Sequence, residues 1–135
     1  MTTRLKQRYQ NFSKSLQLLE DALDIENPSI VEQAGTIQFY EMTFELAWKC
    51  LKDFFQEQGL DVKYPREVLK TGIEKEILSK GDVWMQALTD RNLTSHLYDE
   101  QAAIQAADAI RKSYSPLLVE LNAFLKGHLD LEGPE

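Results

Sequence analysis

Arg91 and His96, with Asn92, Ser95 and Tyr98 around them, are the residues of this chain whose types and spacing bear on chemistry. They lie in Thr89-Asp90-Arg91-Asn92-Leu93-Thr94-Ser95-His96-Leu97-Tyr98-Asp99-Glu100, which sets a guanidinium five positions before one of the chain's two histidines. An imidazole that changes charge near neutral pH can move a proton to or from a ribose 2′-hydroxyl or its leaving oxygen. A guanidinium can neutralise the charge that builds on the phosphate between them. Such a reaction needs neither metal nor cofactor. One histidine serves poorly as both base and acid on opposite sides of a phosphate, so two copies meeting at a dimer interface would make a more complete site.

The spacing poses a geometric question. On an unbroken α-helix, Arg91 and His96 would stand roughly 140° apart, off any shared face. A helix ending near Arg91 with another starting at Thr94 or Ser95, both competent N-caps, would bring them together. So would a long arginine side chain wrapping back, or a contact between two chains. Other constellations are weaker. Ser95, His96 and Asp99 have the residue types of a hydrolytic triad, but neighbours in sequence rarely aim at one another. Cys50, His96 and His128 are scattered, without metal-site spacing, and Gly72 and Gly81 are isolated rather than parts of a phosphate loop. Glu41, Glu45, Lys49 and Lys52 suit a solvated helix face with a Glu45–Lys49 pair; the alternative is that Glu41 or Glu45 turns inward and orients an arginine. Phe44, Trp48, Leu51 and Phe55 fit a core stripe better than a base-stacking platform.

The elements that must position these groups are helical. Leu5, Tyr9, Phe12, Leu16, Leu19 and Leu23 alternate by steps of four and three, predicting a helix over about 3–25 that Asn27-Pro28 stops. Ser29-x-x-Glu32 has the form of a capping box opening a second long helix, whose buried side carries Ile37, Tyr40, Phe44, Ala47, Trp48, Leu51, Phe54 and Phe55. Gly59 suits the left-handed position past its end. An extended link, Leu60 to Tyr64, leads to Pro65 in the first turn of a third helix with Val68, Leu69, Ile73 and Ile77. Gly81-Asp82 reads as a break and an N-cap before a short helix with Val83, Trp84, Ala87 and Leu88. A last helix carries Ala103, Ile104, Ala107, Ile110, Tyr114, Leu117, Leu121 and Phe124, which Ser115-Pro116 should kink or restart. No segment alternates with period two. The expected fold is all-α, an antiparallel up-and-down four- to five-helix bundle, with a single domain over 1–127 and a polar tail over 128–135.

At 135 residues and 43% hydrophobic, the chain can bury one core. The net charge of −7 argues against nucleic-acid binding over the whole surface and leaves room for a local basic pocket. One cysteine, no apolar leader and no membrane-length apolar run point to a cytoplasmic protein with no membrane association. The alanines at 102, 103, 106, 107 and 109 allow close approach of a helix, from the bundle or from a second copy in a homodimer.

At Arg91-Asn92-x-x-x-His96-x-Tyr98 the chain resembles HEPN domains with an Arg-x4-His-x-Tyr motif, and more narrowly the nucleotidyltransferase substrate-binding subunits. Phe44-Glu45-Leu46-Ala47-Trp48-Lys49-Cys50-Leu51-Lys52-Asp53, Pro65-Arg66-Glu67-Val68 and Trp84-Met85 support the likeness in order. The resemblance implies a dimeric helical bundle that works beside a minimal nucleotidyltransferase, in related pairs as toxin and antitoxin. It implies a metal-independent endoribonuclease acting on RNA, with Arg91 and His96 catalytic and Asn92 positioning. Ser95 is a further candidate for substrate positioning. Tyr98 would be the residue that the nucleotidyltransferase modifies with AMP, silencing the nuclease. Two other readings stay open: a noncatalytic substrate-binding subunit, and a scaffold in which Arg91 merely pairs with Asp90, Asp99 or Glu100.

Overall fold

The computed structural model describes residues 3–96 and 99–131. Among them are α1 (Thr3–Leu23), α2 (Ile30–Glu57), α3 (Pro65–Glu74), α4 (Gly81–Thr89), a 3-10 helix (Asp90–His96), α5 (Glu100–Ala109), a π turn (Ile110–Tyr114) and α6 (Ser115–Leu131). No described residue lies in a strand. The all-α bundle that the apolar periodicity predicts is therefore present. α5, the π turn and α6 run on as one rod, so five helical rods make the fold. α1 and α2 pair most extensively, α6 lies against both, and α3 bridges α2 and α4. No described helix is long and apolar enough to cross a membrane.

The core forms where the stripes meet. Leu5, Phe12 and Leu19 of α1 are fully buried with Ile37, Tyr40, Phe44, Leu51 and Phe55 of α2, each contributing about 1.5–3 kcal/mol by leaving water. Phe44, Trp48, Leu51 and Phe55 are core, as their spacing suggests. A buried hydroxyl pair, Ser15 Oγ and Thr43 Oγ1 at 2.6 Å, crosses the α1–α2 seam.

Helix ends follow local chemistry where that chemistry is unambiguous. The Ser29 hydroxyl accepts from the Glu32 amide at 3.1 Å, and the Ser29 amide donates to Glu32 Oε1 at 2.8 Å, completing the capping box. Gly59 adopts φ +85° while the Leu60 amide reaches back to the Phe55 carbonyl at 3.0 Å, a Schellman closure that favours glycine. α3 ends earlier than its stripe suggests. The Ile77 amide bonds the Gly72 carbonyl at 3.0 Å, and Glu76 takes the left-handed conformation at φ +61°, so Ile77 lies beyond the helix. Gly72 permits this return, because a β-carbon there would sit 2.8 Å from Leu78 Cδ1.

Three expectations from spacing are corrected. α4 is entered through Lys80 at φ 55°, and Asp82 lies in its first turn rather than capping it. α5 begins at Glu100, capped by Asp99 rather than by Thr94 or Ser95; Asp99 Oδ1 accepts from the Gln101 amide at 3.0 Å and the Ala102 amide at 3.4 Å. Ile104 faces solvent, because α5 buries the small face of Ala103, Ala106 and Ala107, and Ile104 lies at its edge. Those alanines thus serve packing inside the chain's own bundle.

Ser115-Pro116 does not break the last rod. Pro116 lacks the amide that an α-helix would return to residue 112, and its ring crowds that carbonyl. The π turn over Ile110–Tyr114 lies immediately before it, and the helix continues. α6 passes Gly127 and runs to Leu131, with the His128 ring edge-on to Phe54 at 4.8 Å.

Candidate functional site

The segment bearing Arg91 passes from α4 into a 3-10 helix at Asp90. Near this junction the Tyr40 hydroxyl of α2 donates to Ala87 O at 2.8 Å. Tyr40 stacks on Tyr114, with ring centroids 5.5 Å apart and planes 24° from parallel. The Tyr114 hydroxyl in turn donates to Asp90 Oδ2, and Gln86 Nε2 donates to Asp90 Oδ1 at 3.2 Å. Burial, then the hydrogen bond to the Asp90 carboxylate, raises the Tyr114 phenol above its ordinary range, so it stays a neutral donor. Burial likewise raises Tyr40, helped by Tyr114 and Asp90.

Asp90 is thus pinned as the first residue of the 3-10 helix, and Leu93 packs on the core three residues later. Between them Asn92 departs from helical angles at φ −106°, ψ 36°. Just before this kink Arg91 reaches α2, its Nε 4.0 Å from Glu45 Oε1. Glu45 is oriented from its other side by Trp48, whose indole N–H donates to Oε2 at 3.0 Å. The Arg91 and Glu45 side chains remain 32% and 44% exposed, so the pair adds under about 1 kcal/mol and matters for placement. Of the two readings of the α2 polar face, the one in which Glu45 orients an arginine describes this contact. Lys49 and Lys52 each hold their ammonium 5.9 Å from the Trp48 ring centre.

Arg91 and Asn92 open onto a cleft of about 320 Å³, lined also by Tyr64, Pro65, Arg66, Leu88 and Thr89. Its two guanidinium groups make it a basic notch on an acidic chain, able to hold a phosphate bidentately. The structure therefore brings Arg91 and Asn92 together. Ser95 and His96 end the 3-10 helix, with only their backbone described, and Tyr98 lies outside the described residues. The acidic partner of Arg91 differs from those the scaffold reading named: Asp90 serves Tyr114 and Gln86, Asp99 caps α5, and Arg91 meets Glu45. The Asp99 of the triad alternative is occupied in the same way. Among the described residues no three His, Cys, Asp or Glu side chains gather as a metal site would require.

Sequence reasoning missed Tyr64, Arg66 and Tyr114 as parts of this region, and gave Asp90 as a partner of Arg91 rather than of Tyr114. Only Pro65, which holds Tyr64 extended at φ −112°, ψ 150° on the lip of the cleft, left a readable local signal.

Residues 7–127 match the family described as nucleotidyltransferase substrate binding protein like. A probable ribonuclease HepT of Haemophilus influenzae is 27% identical over 107 residues, spanning 73% of this chain and 70% of that protein. A crystal structure of a Thermus thermophilus protein superposes with a TM-score of 0.78 at 30% identity, covering 84% of this chain and 98% of the other. A second Haemophilus influenzae structure, described as the fold of a substrate binding domain of a nucleotidyltransferase, gives a TM-score of 0.61 over 90% of this chain and 96% of its own; at 22% identity the likeness is one of fold. The match takes in the helices of the core and both walls of the Arg91 cleft, and the chain belongs to the HEPN-type nucleotidyltransferase substrate-binding family.

Proposed function

We propose that the chain is a metal-independent endoribonuclease, catalytic through Arg91 and His96, that works in a complex with a minimal nucleotidyltransferase and is silenced by it. The observation that carries this reading is Arg91, in the 3-10 helix after α4 and 4.0 Å from Glu45, at the mouth of an open basic cleft. The 27% identity to a probable ribonuclease supports it. In the reaction, His96 accepts the proton of a ribose 2′-hydroxyl as that oxygen attacks phosphorus. The bond from phosphorus to the 5′-oxygen breaks, leaving a cyclic 2′,3′-phosphate and a 5′-hydroxyl. Arg91 neutralises the added negative charge in the transition state, while Asn92 and Ser95 position the phosphate.

The leaving oxygen needs a proton from the opposite side. Along a regular 3-10 helix, Arg91 and His96 would be about 10 Å apart in rise, so a homodimer in which each protomer adds a histidine completes the acid–base pair. Silencing follows from Tyr98: its phenol oxygen attacks the α-phosphorus of ATP on the nucleotidyltransferase, pyrophosphate leaves, and the attached AMP puts an anion beside Arg91.

The test is cleavage of RNA in excess chelator. His96→Ala should abolish cutting with an unchanged melting temperature, and cutting retained in that variant rejects the assignment. A purified, unmodified wild type that never cuts would favour a noncatalytic substrate-binding subunit, a reading that the family description and the net charge of −7 support. Mass spectrometry after coexpression with the nucleotidyltransferase checks for an adenylate on Tyr98.

A further inference from the structure

The α3 side of the Arg91 cleft has no part in the chemistry above. Tyr64 and Arg66 stand there on either side of Pro65, at the entry to α3. Tyr64 is 70% exposed, an unusual position for a large ring that a bundle could have used for packing. Its backbone is extended and Pro65 restricts it further, so the ring is presented without much freedom to lose on binding. No aromatic partner stacks on it among the described residues. Arg66 makes no ion pair or hydrogen bond among the described residues. Pro65 and Leu88 add apolar surface to the same cleft.

We propose that Tyr64 and Arg66 form a nucleotide subsite in the Arg91 cleft, in which one unpaired RNA base stacks on the Tyr64 ring and its phosphate lies between the Arg66 and Arg91 guanidinium groups. The inference rests on the nuclease reading for its choice of RNA. The chemistry of the cleft suits it independently. A volume of about 320 Å³ admits one nucleotide and is small for a ligand cleft. A paired base inside an A-form helix offers no face to such a ring, whereas a base in a loop or single strand does. Two cations lining one notch attract a phosphate locally, even though the chain as a whole repels polyanions. Tyr64 and Arg66 thus select for unpaired RNA and set its register against Arg91.

The experiment measures binding of a short labelled single-stranded RNA to the full chain carrying His96→Ala, which prevents turnover, by fluorescence anisotropy at several salt concentrations. Adding Tyr64→Ala should weaken binding about 10-fold, and Tyr64→Phe should stay within about twofold, because stacking needs the ring and not the hydroxyl. Arg66→Ala should weaken binding and reduce the slope of log affinity against log salt by about 0.7, the share of one phosphate contact on a single strand. Duplex RNA and ATP should compete poorly, and melting temperatures should hold because both side chains are exposed.

Equal RNA affinity for the parent, Tyr64→Ala and Arg66→Ala overturns the subsite. ATP bound as tightly as RNA, with the same loss on Tyr64→Ala, also overturns it and assigns the cleft to a free nucleotide. Cleavage by the wild type is read separately. Cutting with no dependence of binding or KM on Tyr64 removes the subsite and leaves the nuclease. Tyr64-dependent RNA binding without cutting removes the nuclease and keeps the subsite, and the absence of both binding and cutting removes both.

Discussion

Removing one oxygen from Tyr114 tests how the Arg91 segment is held. Tyr114→Phe keeps the ring stacked on Tyr40 and deletes only the donor to Asp90. A hydrogen bond to a charged acceptor contributes about 1.5–3 kcal/mol. Asp90 is half-buried and keeps Gln86 as a second donor at 3.2 Å, so the lower end applies. The expected loss is about 1.5 kcal/mol, equivalent to roughly 5 °C in melting temperature for a chain of this size. Other hydroxyl effects could mimic that number, so the assay is a double-mutant cycle with Asp90→Asn, measured by urea unfolding. If the bond is what pins Asp90, the double variant loses less than the sum of the single losses by at least about 1 kcal/mol. Amides 91–93 should also exchange faster in Tyr114→Phe, because the 3-10 helix has lost its first anchor. Additivity within about 0.5 kcal/mol would refute the claim that Tyr114 anchors the start of the 3-10 helix through Asp90.

Two further predictions concern the other end of α2. Burial, with Asp53 adding to it, pushes the Cys50 thiol up to about 12, so its thiolate fraction at pH 8 is about one in ten thousand; disulfide reagents should label it only once the chain is unfolded, and prompt labelling of the native protein would show the packing to be wrong. Asp53 is 3% exposed, with Arg8 Nη1 at 3.4 Å, and burial raises its carboxyl above 3.8 despite the arginines nearby. A raised carboxyl stabilises the fold fully below its unfolded value, and that contribution is lost as pH rises through the folded value. Asp53→Asn should therefore gain stability relative to wild type between pH 4 and 7, measured by urea unfolding. The lost Arg8 contact is a constant offset in that difference, and a difference that stays flat or falls contradicts the assigned direction.

Much of the scaffold was legible because its determinants are local. The four–three spacing of α1, the Ser29–Glu32 box and Gly59 each need only neighbours within a turn or two. The boundaries that moved were decided elsewhere. Thr94, Ser95 and Asp99 are all competent caps, and nothing within the segment ranks them. Asp99 is the cap used, after residues 90–96 run as a tighter helix with Asp90 bonded to Tyr114 and half-buried Leu93 packed on the core. The left-handed entries at Glu76 and Lys80 carry no glycine signal at all.

The candidate site was legible as residue types and not as contacts. Arg91 and Asn92 could be named from the motif, yet what aims them comes from other elements: Tyr40 and Glu45 on α2 and Tyr114 on the π turn. A π turn shifts the face of every residue after it relative to those before, and here it lies immediately before a proline that an α-helix would resist. Pro116 therefore has a reason beyond the rod it sits in. Tyr114, in the wide turn, meets both the Tyr40 ring and Asp90. A straight final helix would rotate Tyr114 off that position, and Asp90, the first residue of the 3-10 helix that carries Arg91, would lose its phenol donor.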